Sequence, residues 1–435
     1  MTDVNALIAL DLNGTEILSL FTPIGDVLGT GLKEVIAKMN TLGLPSPLPP
    51  QLVNPVIQVL PGLYGDYPQS TDIAPCALFV ALFGALAVAN LLVFLKDWSR
   101  GHRYYMLFGS FAYCVLKLIG FAIRMAWSNN ALMLNEGLAS VVFIQVSTLW
   151  LNAYSVIMGH RVFTWRHPEF GASKFFNFST IMLYLLIPGL LVMAILGQSL
   201  PFLYFFTPSN LHTCHQVTQA AGILELIYCV LGLMYVVFGY TFPPGTLNDT
   251  LLRIPRNEPD KEMPLTVQPT WIEKTSIFYY PRKGSQITIG RAESHAIRII
   301  NTREVPADGK CYQINGEHSH GPSIVSLILH IVLITITLLL SACVRVSSVF
   351  MNDKTNGGRG VPYGNWTFRN YPMYIFHGAV EVALIVYMLI FRFDLLFYIP
   401  DVASKSICST TEGHLQTLRL SSSDKEVVLE VSGVE

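Results

Sequence analysis

The sequence predicts an all-α membrane protein: a seven-transmembrane helix bundle with its N-terminus outside, its C-terminus cytosolic, and a long, partly ordered cytosolic loop. Three observations predict it. Hydrophobic residues make up 51% of the 435 positions and charged ones only 13%, about half the charged share of soluble domains. Stretches apolar enough for a ~30 Å hydrocarbon core, which takes roughly 20 helical residues, recur seven times. Lys and Arg alternate between rich and empty connections, as a chain threaded back and forth across a membrane requires. The mean hydropathy is +0.46. A net charge of −1 offers no field for nucleic acid, so no such partner is expected.

Residues 1–72 precede the spans as a tail. Within it Ile17, Leu20, Phe21, Ile24, Leu28, Leu32, Val35 and Met39 recur at helical spacing. That spacing predicts an amphipathic helix lying on the outer face or packed as a lid, ended by the proline-rich "LPSPLPPQLVNP", with a loosely ordered tail as the equal alternative. The first residues carry no basic n-region of a signal peptide.

The spans fall near 74–95, 104–127, 137–159, 175–197, 216–240, 322–350 and 372–392, so that 73–240 holds helices 1–5 and 322–400 holds helices 6–7. The first carries an alanine ridge (Ala77, Ala81, Ala85, Ala89), of the kind that lets helices approach closely in lipid. Pro188 predicts a kink in the fourth. Residues 241–321 read as a cytosolic loop in which "SQITIGR" and "HAIRII" can pair as a hairpin, and 401–435 as a disordered cytosolic tail.

Orientation follows from the basic connections. The first holds Lys96, Arg100 and Arg103 and the third Arg161, Arg166 and Lys174, whereas 128–136 and 198–215 hold neither Lys nor Arg. Lys354, Arg359 and Arg369 pull the other way, but early spans dominate. The sequons at Asn13 and Asn365 then fall outside as glycosylation acceptors, and the one at Asn248 falls inside. Cys76 and Cys214 share that oxidising side, which would permit a disulfide between them.

The spans also carry polar stripes. Lys117 and Arg124, in "FAYCVLKLIGFAIRMAW", are seven apart and share one helix face. Gln145, Thr148, Asn152, Ser155 and Gly159 do the same in the third span, and Gly222, Glu225, Cys229, Gly232 and Gly239 in the fifth. The sixth offers Ser326, His330, Thr337, Ser341, Arg345 and Ser348; the seventh offers His377 and Glu381 one turn apart. A charge at mid-bilayer costs about 3 to more than 10 kcal/mol unless paired or hydrated. Lys117 should therefore meet Glu225 or Glu381, which share its depth. The expected ligand or ion pathway comprises Lys117, Arg124, Gln145, Asn152, Glu225, His330, Arg345, His377 and Glu381, with a purely structural network as the alternative. No zinc-type cysteine spacing, HExxH, GxSxG or P-loop occurs, so no metal, other cofactor or enzymatic activity is expected.

The segments "RGH" (100–102), "IRMAW" (123–127) and "HPEFG" (167–171) resemble an uncharacterised family of fungal multi-pass membrane proteins. So does "EVALIVYMLIFRFDLLFYIP" (381–400), through Glu381, Tyr387, Arg392, Asp394, Phe397 and Pro400. A looser likeness reaches the fungal RTA-type seven-span proteins, described as lipid-translocating exporters or drug-resistance proteins. Those place an arginine late in the sixth span and a carboxylate in the seventh, here Arg345 and Glu381. The resemblance implies binding or translocation of a small amphipathic, lipid- or sterol-like molecule through a polar cavity, with membrane lipids as further partners. The sequons and the lack of a retention motif favour the plasma membrane. A seven-span receptor meeting a cytosolic protein through 241–321 is the second reading. Against its animal type, the third span ends in "MGHRVF" and the seventh lacks Asn-Pro-x-x-Tyr. An intramembrane enzyme is the third.

Overall fold

The computed structural model describes residues 14–41, 56, 60, 63–129, 133–171, 173–242, 275–281, 303–304, 312–313, 324–353 and 366–397. Asn13, Asn248, Asn365, the "SQITIGR" and "HAIRII" segments and residues 401–435 lie outside the described residues. Two short helices, α1 (Gly14–Phe21) and α2 (Leu32–Thr41), belong to the tail. The spans follow as α3 (Ile73–Ser99), α4 (Tyr105–Trp127), α5 (Leu134–Arg166), α6 (Lys174–Leu203), α7 (Pro208–Thr241), α8 (Ile324–Asp353) and α9 (Asn370–Ile390), with a one-turn α10 (Phe393–Leu396) after them. β1 (Arg303–Glu304) and β2 (Tyr312–Gln313) pair antiparallel. Among the described residues seven helices are thus long and apolar enough to cross a membrane, and the chain is a multi-pass membrane protein of all-α build.

Helices are the form these segments take because in hydrocarbon every backbone N–H and C=O must find its partner within the segment. Their ends are marked locally. Ser173 caps α6 by accepting from Phe176 N–H at 3.2 Å, and Pro208 opens α7, where its missing N–H costs nothing. α5 is the central helix, with 61% of its apolar window buried against 22% for the peripheral α6.

Two expectations change. The alanine ridge packs only at its last residue: Ala77, Ala81 and Ala85 are exposed and Ala89 is half-buried against the cluster that holds Val93 and Phe94, while Cys76, Phe79, Phe83, Ala87 and Asn90 of the same helix are buried. Phe79 and Phe83 stack on Phe121 at 5.0 and 5.9 Å, and the larger aromatic area decides which face turns inward. The close backbone approach occurs instead between α5 and α7, where a Cβ on Gly159 would collide with the Gly232 carbonyl and one on Gly232 with the Ser155 backbone.

The tail is not one helix. Gly25, Gly29 and Gly31 all take positive φ, which breaks the periodic stretch into α1, a turn and α2. Gly31 is obligatory on a second count, since a Cβ there would sit 2.6 Å from the Phe205 ring. Ile17, Leu18, Leu32, Val35 and Met39 are buried with Trp127, Leu134, Val141 and Phe202, whereas Leu20 and Ile24 of the same periodic set face out. Val27 N–H donates to Phe206 O at 2.9 Å and Gly31 N–H to Pro201 O at 2.8 Å. The tail therefore roofs the end of the bundle at which α3 begins, hereafter the tail end.

Candidate functional site

Glu381 on α9 is fully buried and surrounded by donors. Lys117 Nζ lies 2.8 Å from Oε2, and both side chains are fully buried. Tyr113 O–H donates to the same oxygen, while Thr148 O–H and His377 Nδ1 meet Oε1 at 2.8 and 2.9 Å. Lys117 shares its two remaining protons among Ile144 O (3.0 Å), Thr148 Oγ1 (3.3 Å) and His377 O (3.2 Å). Residues Tyr374–Val380 form a π-helical turn, at whose end Glu381 N–H goes to Gly378 O. Of Lys117's two candidate partners, Glu381 is the one it reaches. The three helices α4, α5 and α9 are joined at one point.

Glu225 is committed elsewhere. Its carboxylate accepts from Arg345 Nη2, tying α7 to α8 with both groups buried. Arg345 also lines a cavity of about 50 Å³ at the tail end, room for roughly four waters. Gln145 of α5, Gln198 of α6 and His215 and Thr218 of α7 share that wall, and Leu63 and Tyr64 of the tail close it. Two buried donors on the lining, Tyr64 O–H and Arg345 Nε–H, have no hydrogen-bond partner among the described residues. Burial pushes the Tyr64 phenol well above its ordinary pKa, with Arg345 pulling it down and Glu381 pushing it further up. Tyr64 therefore stays a donor at all physiological pH. Its ring stands edge-on to His377 at 5.3 Å, so this one tail residue touches the Glu381 cluster and lines the cavity.

The nine residues expected to line one pathway are thus divided. Only Gln145 and Arg345 line the cavity. Lys117, His377 and Glu381 form one cluster, and Arg124 ties the tail to α9, donating to Gly65 O and to Asp66 O at 3.1 Å in the tail and to Tyr374 OH at 3.3 Å in α9. Asn152 accepts from Cys229 at 3.5 Å between α5 and α7. His330 is enclosed by the Tyr387, Phe391 and Phe393 rings at 5.1–5.5 Å. The disulfide between Cys76 and Cys214 is not formed, and both thiols are free. Cys76 is buried against Tyr374 OH at 3.3 Å, whereas the Cys214 backbone sits at the α6–α7 seam beside Gly197, so sharing a membrane face did not bring them together.

Sequence reasoning missed a third cluster at the opposite end. Arg392, held at φ +49, lies 2.7 Å from both Asp97 and Asp394 and donates to Tyr279 O at 2.7 Å. Burial lowers the Arg392 guanidinium, but Asp394 and Asp97 outweigh it and leave its pKa raised. The Tyr280 ring faces Lys96 at 3.8 Å, Arg392 at 5.4 Å and Arg100 at 5.5 Å. Ile277, Tyr279 and Tyr280 pack on Val93, Phe94 and Leu395, so a piece of the long loop is clasped to α3 and α10. The signal was present in "FRFD" and in "FYY", but charge at a helix end reads as an interfacial anchor unless the partner is known.

Fold and buried polar network together define a seven-helix multi-pass membrane protein roofed by its own N-terminal tail. Residues 168–398 match the family described as a protein of unknown function, DUF3112; the match spans more than half of the chain, which belongs to that family. The matched region contains Glu225, Arg345, Glu381 and Arg392 but not Tyr64 or Lys117. Searches of curated proteins and of solved structures find no match.

Proposed function

We propose that the protein binds a small amphipathic molecule, whose polar head enters the tail-end cavity beside Arg345, and holds it or passes it across the membrane without chemical change. One observation carries this reading: a cavity lined by a tail residue, Tyr64, and a span residue, Arg345, each of which carries a buried donor with no partner among the described residues. Unsatisfied buried donors cost about 1–3 kcal/mol each, and a ligand that accepts from them recovers that energy. The likeness of Arg345 and Glu381 to positions in fungal RTA-type lipid-translocating proteins supports the same reading. With the orientation that the basic connections imply, the cavity lies in the outer half of the plasma membrane. The test is mass spectrometry of lipid retained by protein purified from native membranes, followed by lipid flux in reconstituted vesicles. Tyr64→Phe and Gln145→Leu should lower both retention and flux. Protein that retains nothing and moves nothing would sink the proposal.

The clasp at residues 275–281 favours a second reading, a receptor whose long loop meets a cytosolic protein. Under that reading, deleting residues 255–310 abolishes partner recruitment while ligand retention persists.

A further inference from the structure

The cavity's chemistry restricts what its ligand can be, if the binding reading above holds. Arg345 is already neutralised by Glu225, so the wall carries no net charge from that pair. No Asp, Glu or Lys occurs among the described residues that line it. Thr218 O–H is spent on Cys214 O at 2.9 Å and Ser348 O–H on Arg345 O at 2.6 Å, which leaves both oxygens able only to accept. Two further lining residues, Tyr64 and Arg345, carry donors, O–H and Nε–H, that have no partner among the described residues. The wall therefore offers donors and acceptors together, and a ligand group that can do both is the one it satisfies.

We infer that the site selects a neutral, hydroxyl-bearing amphiphile, its oxygen accepting from Tyr64 and Arg345 and its proton going to a hydroxyl or amide oxygen of the wall. A carboxylate or phosphate head would bring a second negative charge beside Glu225, with Arg345 already shared, in surroundings where an unmatched charge is costly. An ammonium head would bring donors alone, next to a guanidinium. The volume of about 50 Å³ takes a hydroxyl and its first few carbons, not a whole chain. Pro201, Phe202 and Leu211 supply the apolar wall for those carbons.

The experiment uses the full chain in lipid nanodiscs and three photoreactive, alkyne-tagged probes with the same long alkyl chain: an alcohol, a carboxylic acid and a primary amine. Cross-linked peptides are mapped by mass spectrometry. The alcohol should label residues 197–218 at least about fivefold more than either ion, and excess hexadecanol should compete. Tyr64→Phe keeps the ring on His377 and removes one hydrogen bond, and labelling should fall about 2- to 10-fold while the melting temperature is unchanged. Gln145→Leu is the second variant should Tyr64→Phe fold poorly, with a smaller loss in the same direction. Preferential labelling by the acid or the amine overturns the inference and leaves the binding reading standing. Labelling by the alcohol that neither variant alters overturns the assignment to this wall. No labelling at 197–218 by any probe, with the protein folded, overturns both and leaves a cavity that takes water only.

Discussion

At Glu381 both carboxylate oxygens are saturated: Lys117, Tyr113, Thr148 and His377 converge on them, Lys117 shares its protons with three further acceptors, and His377 Nε2 is the atom of this cluster left without a partner among the described residues. Around Arg345 the ion pair with Glu225 is made, yet Nε–H has no partner among the described residues, and Arg345 lines a cavity that Tyr64 also lines. Both pairs are buried and both join helices. They differ in completion, and completion separates their roles. A saturated network gains nothing from a ligand and loses much from a substitution. An unfinished one tolerates change on its rim and has donors to offer. The two clusters therefore answer differently to mutation, and that difference is measurable.

The largest effect is expected at the saturated cluster. Glu381→Gln leaves the Lys117 ammonium buried with no counter-charge, and stability should fall by about 3–5 kcal/mol, read as a lower melting temperature in detergent. A wild-type melting curve would mean the cluster is hydrated, and the contrast would fail. Next comes the clasp: Arg392→Leu leaves Asp97 and Asp394 facing each other without a cation and removes the bond to Tyr279 O. A loss of about 3 kcal/mol is expected, together with faster proteolysis within 275–281. Cleavage at the wild-type rate would show that the loop segment is held by its apolar contacts alone. Gly232→Val forces α5 and α7 apart where their backbones touch, at about 1–3 kcal/mol, while leaving both ion pairs intact. The smallest stability effect is at the cavity. Tyr64→Phe removes an unpartnered hydroxyl, so unfolding should shift by less than about 1 kcal/mol even as ligand retention drops. A large destabilisation there would place Tyr64 in the structural network and erase the distinction.

Much of this was legible along the chain. Apolar length gave the seven spans, because hydrocarbon thickness fixes helix length regardless of packing. The cost of intramembrane charge required Lys117 to find a carboxylate, and depth narrowed the choice to Glu225 or Glu381. Depth alone does not choose between two acids at one level; that choice depends on which helices are neighbours. The same limit explains the two failures. Cys76 and Cys214 lie on one face of the membrane but at different seams. The alanine ridge obeys a packing pattern, yet Phe79 and Phe83 on the other side of the helix bury more area and take the interior. Tyr64 carried no periodic signal at all, since it stands in the irregular stretch that brings the tail back over the bundle.

The sequence by itself determined the class of solvent, the number of crossings and the necessity of buried counter-ions, because these follow from hydropathy and electrostatics summed residue by residue. Only the tertiary structure decided which acid met which base, that the tail folds as a broken lid, and that one pair closed on itself while the other was left facing a cavity. Those outcomes depend on helix rotation and adjacency, which are set by the fit of whole faces and are carried by no single stretch of chain.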